Sequence, residues 1–254
     1  AKEFQERTGV EIEYLHPPQG QAGEQFNLMI ATDELPDLIG YGWLSYPGGP
    51  GKAIADNIIV ELNDLVDQYA PNFKKVLESD PMIDKMSKTD DGKYYMFPCI
   101  MGGERNMVSY GPVMRKDWLD DLGLEVPTTI DEWYDVLIAF RDQKNAPAPF
   151  LGNDITRMAC AFDIVDGFYQ EDGNIKYGPI EPSYRDYLET MNRWYKEGLI
   201  DPDYAALDGA ARDAKITGGE TGAFFGWSGS GIQRYLTTMK DEDPKYDLTG
   251  VPYP

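Results

Sequence analysis

The segment from Arg115 to Arg141, RKDWLDDLGLEVPTTIDEWYDVLIAFR, constrains the fold of this chain more than any other part of it. Gly123 is typical of the residue that ends a helix in the left-handed conformation, and Pro127 keeps the residue before it extended. Thr129 and Glu132 have the S/T-x-x-E spacing of a capping box. The segment therefore predicts a helix, a hard stop, an extended linker and a second helix.

The second of these helices is amphipathic. Its apolar residues recur at the spacing of a single helical face: Ile130, Trp133, Tyr134, Leu137 and Ile138. We expect this face to pack against a hydrophobic core.

Helical and extended patterns alternate along the rest of the chain. Helices are predicted from the start to Gly9, over 24–32 and 62–69, and from a cap at Ser183 to Gly198. Strands are predicted over 10–14, 35–42, 94–97, 107–114, 148–152 and 222–227. This alternation indicates an α/β fold with largely parallel sheets.

The composition excludes some functions. The 254 residues include 23 Lys and Arg against 44 Asp and Glu, which gives a net charge of 23 − 44 = −21. Because a negative field repels phosphate backbones, nucleic-acid binding is disfavoured. His16 is the only histidine, which limits histidine-based metal sites and Ser-His catalysis. We expect no metal and no cofactor.

Cysteine spacing and enzyme motifs point to no catalytic machinery. Cys99 and Cys160 form no CxxC pair, so the sequence allows either two buried thiols or one disulfide across the fold. The run from Gly226 to Ser230 misses the nucleophile elbow, because its last position is not glycine. Paired carboxylates for glycoside hydrolysis stand in no distinctive motif.

Six segments in order resemble one protein family. They are FQERTGVEIEY, DGKYYMFP, VMRKDWLDDLGLEVPTTIDEW, YKEGLIDPDY, ITGGETGAFFGW and LTGVPYP. Each segment alone is a weak signal. Together, in this order and with compatible spacing, they resemble the bacterial extracellular solute-binding proteins of family 1. These proteins are the sugar-capturing subunits of ABC importers.

The resemblance implies an α/β fold of the type II periplasmic-binding-protein kind, with two lobes joined by hinge crossover strands. Residues 1–98 would form the first lobe, 99–107 a hinge crossing, 108–246 the second lobe and 247–254 a second crossing. Compared with the family, we expect the fold to be incomplete at both ends. The segments expected to be missing are the signal sequence, the lipid-anchoring cysteine, the first strand and the C-terminal helices.

The resemblance also implies ligand contacts in loops that follow strands, where polar and aromatic groups converge. The residues concerned are Tyr41, Trp43, Glu104, Arg105, Asn153, Asp154, Trp227 and Ser228. Alternative interpretations are plain packing for Trp43 and Trp227, a hinge ion pair for Arg105 and a helix cap for Asp154. Trp118, Trp133 and Trp194 fall on helical core faces and are interpreted as structural.

The expected function is capture without turnover. The resemblance implies a monomer that binds an oligosaccharide between its lobes and presents it to ABC permease subunits in the membrane. The acidity of the chain is compatible with a neutral sugar and mildly unfavourable for a polyanionic one. Its implied location is the extracellular face of the cytoplasmic membrane, with a lipid anchor on the full-length protein. Two alternatives are a carbohydrate-active hydrolase and an extracellular adhesion module without a small ligand.

Overall fold

The computed structural model describes residues 2–18, 21–101 and 109–254. The chain forms two compact units, Ala1–Ile100 and Met101–Pro254. The hinge crossings predicted at 99–107 and 247–254 stay predictions, and most of the first lies outside the described residues. No helix in the described part of the chain is both long and apolar enough to cross a bilayer.

The first unit is mainly helical. Its helices are α1 (Lys2–Thr8), α2 (Ala22–Thr32), α3 (Gly49–Ala55), α4 (Asn63–Tyr69), α5 (Pro71–Ser79) and α6 (Pro81–Met86), with a 3₁₀ turn at Trp43–Ser45. Phe26, Trp43, Ala53 and Tyr95 form its buried core.

The strands predicted over 10–14, 35–42 and 94–97 are wrong for this structure. In the described part of the first unit, the only strand-like pairing is a single bridge between Lys88 and Tyr94. Alternating apolar residues form a strand only where a neighbouring strand pairs with their backbone groups, and apart from the bridge at Tyr94 these segments have no such neighbour among the described residues.

The second unit combines sheet and helix. Its strands are β1 (Tyr110–Arg115), β2 (Phe168–Glu171), β3 (Asn174–Tyr177), β4 (Ala223–Trp227) and β5 (Leu248–Gly250). Its helices are α7 (Lys116–Leu122), α8 (Ile130–Gln143), α9 (Pro182–Lys196), α10 (Gly209–Thr217) and α11 (Arg234–Met239). A 3₁₀ segment covers Ile155–Phe162, and a π-helical turn covers Ser228–Gln233.

The predicted helix boundaries around Gly123 and Thr129 are confirmed. Gly123 adopts a φ of 63° directly after α7, and its left-handed conformation ends that helix. The Thr129 hydroxyl accepts a hydrogen bond from the Glu132 N–H, and the Glu132 carboxylate accepts one from the Thr129 N–H. The prediction for Ser183 is wrong, since α9 begins at Pro182 and Glu181 occupies the cap position.

The main sheet has the order β4-β1-β5, and β1 is antiparallel to both neighbours. The expectation of largely parallel sheets is therefore wrong. Parallel pairing is limited, among the described residues, to single bridges through which Phe150 joins Ile200 and Ala223. Segment 149–151 consequently runs in the same direction as β4.

The two faces of this sheet enter two different cores. Because side chains alternate along a strand, Phe225 of β4 packs with Met114 of β1 against α7, α8 and α9. Phe224 and Val113 point the other way and pack against α10 and α11. Both aromatic positions of the run Phe224-Phe225 are thus buried on opposite faces.

Other predictions from the sequence have clear outcomes. The structural interpretation of Trp118, Trp133 and Trp194 is confirmed, because all three are buried in the core of the second unit. Both cysteines are free: Cys99 is exposed and Cys160 is partly buried. Neither of the two arrangements expected for them, a buried pair or a disulfide, is present.

Gly222, directly before β4, passes between two aromatic rings, so we predict that Gly222→Ala destabilises the protein. A Cβ there would overlap the ring of Phe140 and lie 2.8 Å from Cε3 of Trp118. Overpacking of this kind costs about 1–3 kcal/mol in the free energy of unfolding. Urea denaturation followed by tryptophan fluorescence measures the change.

The matched control is Gly250→Ala, in the neighbouring strand β5. A Cβ at Gly250 has no atom within 4 Å. We expect this variant to stay within about 0.5 kcal/mol of the parent. Equal losses in the two variants would contradict the packing described for Gly222.

Candidate functional site

One edge of the second unit's sheet collects aromatic and polar side chains, because of the strand directions. Trp227 ends β4, and Asn153 and Asp154 follow the parallel segment 149–151. Strand β1 runs in the opposite direction, so its first residue, Tyr110, lies at the same edge. Strand β5 runs with β4, and Tyr253 lies a few residues beyond its end.

Four aromatic rings pack against one another at this edge. We call Tyr110, Phe225, Trp227 and Tyr253 the aromatic edge. The ring centroids of Tyr110 and Trp227 are 4.9 Å apart, those of Tyr110 and Phe225 are 6.3 Å apart, and those of Phe225 and Tyr253 are 5.9 Å apart. Phe225 is buried, whereas half of Trp227 is exposed. The buried ring supports the exposed ones.

Asn153 connects its loop to β4 through two side-chain hydrogen bonds. Its side-chain N–H donates to the carbonyl oxygen of Phe225 at 2.8 Å, and its side-chain oxygen accepts from the N–H of Phe225 at 3.0 Å. The amide thus pairs with both backbone groups of one buried residue. Asn153 therefore stabilises the backbone of β4 at the aromatic edge.

Asp154 and Arg157 both contact Tyr110. The phenol of Tyr110 donates a hydrogen bond to the Asp154 carboxylate, and the Arg157 guanidinium lies 4.8 Å from the centre of the Tyr110 ring. Burial, and next the hydrogen bond to Asp154, raises the pKa of Tyr110 well above its usual value. Tyr110 therefore stays a neutral hydrogen-bond donor at physiological pH.

Asp154 adopts a φ of 54° directly before the 3₁₀ segment. It accepts no capping hydrogen bond from the first residues of that segment, so the helix-cap interpretation is wrong here. Its carboxylate lies instead beside Tyr110.

A cavity of about 640 Å³ adjoins the aromatic edge. Its lining includes Asp154, Thr156, Arg157, Asp166 and Tyr253. It therefore combines an aromatic face with hydroxyl, carboxylate and guanidinium groups. Such a mixture suits a ligand that has both C–H faces and hydroxyl groups.

Ser228 begins the turn that follows Trp227. Its N–H donates to the carbonyl oxygen of Ser109 at 2.8 Å, and the residue is exposed. The structure thus brings together four of the predicted contact residues, Asn153, Asp154, Trp227 and Ser228, at one edge. Whether they contact a ligand stays a prediction.

The predicted residues of the first unit are packed together. Tyr41 stacks on Phe26 with ring centroids 3.6 Å apart, and Trp43 contacts both rings at steeper angles. Trp43 is only 6% exposed, which fits the packing alternative better than a free stacking face. Tyr41 is partly exposed. Glu104 and Arg105 lie outside the described residues.

Three residues of this region, Tyr110, Arg157 and Tyr253, are not predicted from the sequence. Tyr110 begins β1 beside Gly111, and Tyr253 lies three residues beyond β5 between two prolines, which is only a weak signal for exposed aromatics at a sheet edge. Arg157 lies one turn beyond Asp154 in a 3₁₀ segment that the sequence pattern did not indicate. Only the antiparallel direction of β1 places Tyr110 here, and that pairing is not local in sequence.

Comparison with known proteins shows a match over the whole chain. The family model described as bacterial extracellular solute-binding protein matches residues 1–254. The chain is 29% identical over 250 residues to the fructooligosaccharide ABC transporter substrate-binding protein FusA of Streptococcus pneumoniae, covering 90% of this chain and 46% of FusA. It is 24% identical over 257 residues to lipoprotein LipO of Bacillus subtilis, covering 95% of this chain and 49% of LipO.

A solved structure of a solute-binding protein is also similar to this chain. The crystal structure of the alginate-binding protein AlgQ2 without calcium ion matches with a TM-score of 0.76 and 31% identity, covering 99% of this chain and 53% of AlgQ2. The fold is thus that of the periplasmic-binding-protein-like solute-binding proteins. The chain spans about half the length of the curated relatives it matches.

We predict that Asn153→Ala destabilises the second unit, because it leaves both backbone groups of buried Phe225 without their partner. Such loss costs about 1–3 kcal/mol for each group left unsatisfied. The midpoint of urea unfolding, followed by tryptophan fluorescence, should fall. Asn174→Ala is the control, since its side chain makes only a 3.5 Å contact in an exposed hairpin. An unchanged midpoint for Asn153→Ala would contradict the stabilising role of this amide.

Proposed function

The chain belongs to the bacterial extracellular solute-binding proteins, and from this premise we propose that it captures a neutral oligosaccharide and delivers it to an ABC permease. The observation that carries this proposal is the aromatic edge beside a polar cavity. Half-exposed Trp227 offers a flat apolar face, and Tyr110, Asp154 and Arg157 offer hydrogen-bonding groups next to it.

This combination matches the chemistry of a sugar ring. A pyranose or furanose has C–H groups that stack on an aromatic face and hydroxyl groups that donate and accept hydrogen bonds. The rings of the aromatic edge extend from Trp227 through Tyr110 and Phe225 to Tyr253. Phe225 is buried, but Trp227, Tyr110 and Tyr253 are at least partly exposed, and three such rings offer room for more than one sugar unit. This favours an oligosaccharide over a monosaccharide.

Local charge favours a neutral ligand. Asp154, Asp166 and Arg157 line the cavity, so its lining holds two carboxylates and one guanidinium. The chain as a whole has a net charge of −21, which repels polyanions. Among the relatives, FusA is described as binding fructooligosaccharides and AlgQ2 as binding alginate. For this chain we propose a ligand of the uncharged type.

Capture would follow the two-lobe scheme implied by the family. In this proposal, the ligand bridges the aromatic edge and residues of the first lobe, and the lobes close about the hinge segments at 99–107 and 247–254. Tyr41, with Glu104 and Arg105 in the first crossing, would supply the facing contacts, and the buried ring of Trp43 would support the Tyr41 ring. The protein would act as a monomer and would not turn over its ligand.

The proposed location is the extracellular face of the cytoplasmic membrane. The lipoprotein LipO, which matches 95% of this chain, supports a lipid anchor on the full-length protein. Such an anchor would keep the loaded protein close to its permease.

A calorimetric and thermal-shift screen against mono- and oligosaccharides tests the proposal. Binding should raise the melting temperature, because a ligand that binds only the folded state stabilises it. Product analysis after incubation with the same sugars separates capture from hydrolysis. Released products would favour the hydrolase alternative, and the absence of any shift across a broad panel would favour an adhesion module.

We predict that Trp227→Ala weakens the affinity for any sugar found in this screen. Loss of a buried aromatic contact in the complex costs on the order of 1–3 kcal/mol of binding free energy. Isothermal titration calorimetry measures the change in Kd. Phe168→Ala is the matched control, because Phe168 is 78% exposed in the β2–β3 hairpin and belongs to the same unit.

The two variants discriminate between a local site and a general effect. Phe168→Ala should bind like the parent protein. An unchanged Kd for Trp227→Ala would remove this residue from the site.

A further inference from the structure

The turn that carries Trp227 into α11 has an unusual conformation. Residues Ser228–Gln233, with the sequence SGSGIQ, form a π-helical turn directly after β4. π-Helical turns are rare and are less favourable than α-helix. Glycine-rich segments are also conformationally free, so this turn should move unless other residues hold it.

The backbone of the turn folds back onto β4. A Cβ at Gly231 would lie 3.2 Å from the Cα atom of Gly226, the residue before Trp227. Gly231 is buried, and a Cβ there would crowd the backbone of Gly226, so the turn and β4 are in close backbone contact. The position of the turn therefore determines the position of the backbone that carries Trp227.

Arg234, the first residue of α11, links the turn to α10. Its Nε donates to the carbonyl oxygen of Ser230 at 2.8 Å. Its two terminal nitrogens donate to the two carboxylate oxygens of Asp213, each at 2.7 Å. A guanidinium that makes three such bonds has one permitted orientation, because its donors are fixed in a plane.

Tyr235 connects this arrangement to the core. Its phenol donates to Asp213 at 2.6 Å, and its ring is buried edge-on against Phe224 of β4, with centroids 5.6 Å apart. Asp213 thus accepts hydrogen bonds from two neighbouring residues of α11. The Asp213 carboxylate therefore holds both Arg234 and Tyr235, and it connects α11 to α10.

We propose that Asp213 and Arg234 are positioning residues that hold the glycine-rich turn and keep the Trp227 ring presented at the aromatic edge. The inference rests on the proposed sugar-binding role of Trp227. Neither residue is part of the aromatic edge or of the lining of the cavity. Their effect on affinity comes from pre-organisation: a ring that is already in place loses less conformational entropy when a ligand stacks on it.

The first experiment needs no ligand. Trp227 is 50% exposed, and the other four tryptophans, at positions 43, 118, 133 and 194, are at most 8% exposed. Acrylamide quenching and time-resolved anisotropy of tryptophan fluorescence therefore report mainly on Trp227. In Asp213→Asn and Arg234→Met we expect faster quenching and a larger fast component in the anisotropy decay.

Three further variants make this result specific. Asp213→Glu keeps a carboxylate that can accept hydrogen bonds from both terminal guanidinium nitrogens, so its quenching and anisotropy decay should be close to those of the parent protein. Arg185→Met removes the exposed ion pair of Arg185 with Glu189 on α9 and should change nothing. In a Trp227→Phe background, adding Asp213→Asn should no longer change the quenching or the anisotropy decay.

The second experiment uses the oligosaccharide that binds the parent protein in the screen. Asp213→Asn and Arg234→Met should raise its Kd by about tenfold, which corresponds to about 1.4 kcal/mol. If no sugar in the panel binds, the proposed function fails, and the fluorescence experiment still decides whether the two residues position Trp227. Parental fluorescence in both variants would overturn the positioning role, whatever the Kd values.

A variant that fails to fold would leave the positioning role undecided, so a replacement variant is provided. Where circular dichroism shows that either variant is unfolded, Arg234→Lys replaces it, since lysine keeps the charge next to Asp213 but cannot also reach Ser230. Hydrogen exchange in the parent protein completes the test. Amides of residues 228–233 should exchange as slowly as those of α11, and exchange at the rate of an open loop would overturn the proposal.

Discussion

The antiparallel pairing of β1 with β4 is the constraint on which the rest of the second unit depends. It sets Tyr110 opposite Trp227 and Val113 opposite Phe224. Because side chains alternate along a strand, this register sends Phe224 into one core and Phe225 into the other. A shift of one residue would place Trp227 on the wrong face. The aromatic edge therefore follows from the register and from no single side chain.

The candidate site combines this rigid pairing with two further attachments. Asn153 ties the neighbouring loop to the backbone of Phe225, and Arg234 ties the following turn to Asp213. Both attachments lie outside the surface that a ligand would contact. They allow an exposed tryptophan and a glycine-rich turn to keep one geometry, which is what a binding protein needs if affinity is to come from stacking and hydroxyl pairing.

The sequence predicts this structure best where the determinants are local. The stop at Gly123 and the capping box of Thr129 depend on residues within one helical turn, and both are confirmed. Strand direction depends on partners far along the chain, so the expected parallel sheet is wrong for β1. The burial of Trp43 and the approach of Tyr110 to Asp154 likewise depend on tertiary contacts. Local spacing carries no information about either.

The role of Trp227 in sugar binding is tested most directly by ¹⁹F NMR, in a titration of the 5-fluorotryptophan-labelled protein with an oligosaccharide that binds it. Replacement of Trp227 by phenylalanine assigns its resonance. We expect this resonance to shift in a saturable manner, with the same Kd as calorimetry, because the sugar stacks on the exposed ring. Calorimetric binding with an unperturbed Trp227 resonance would show that the sugar binds elsewhere.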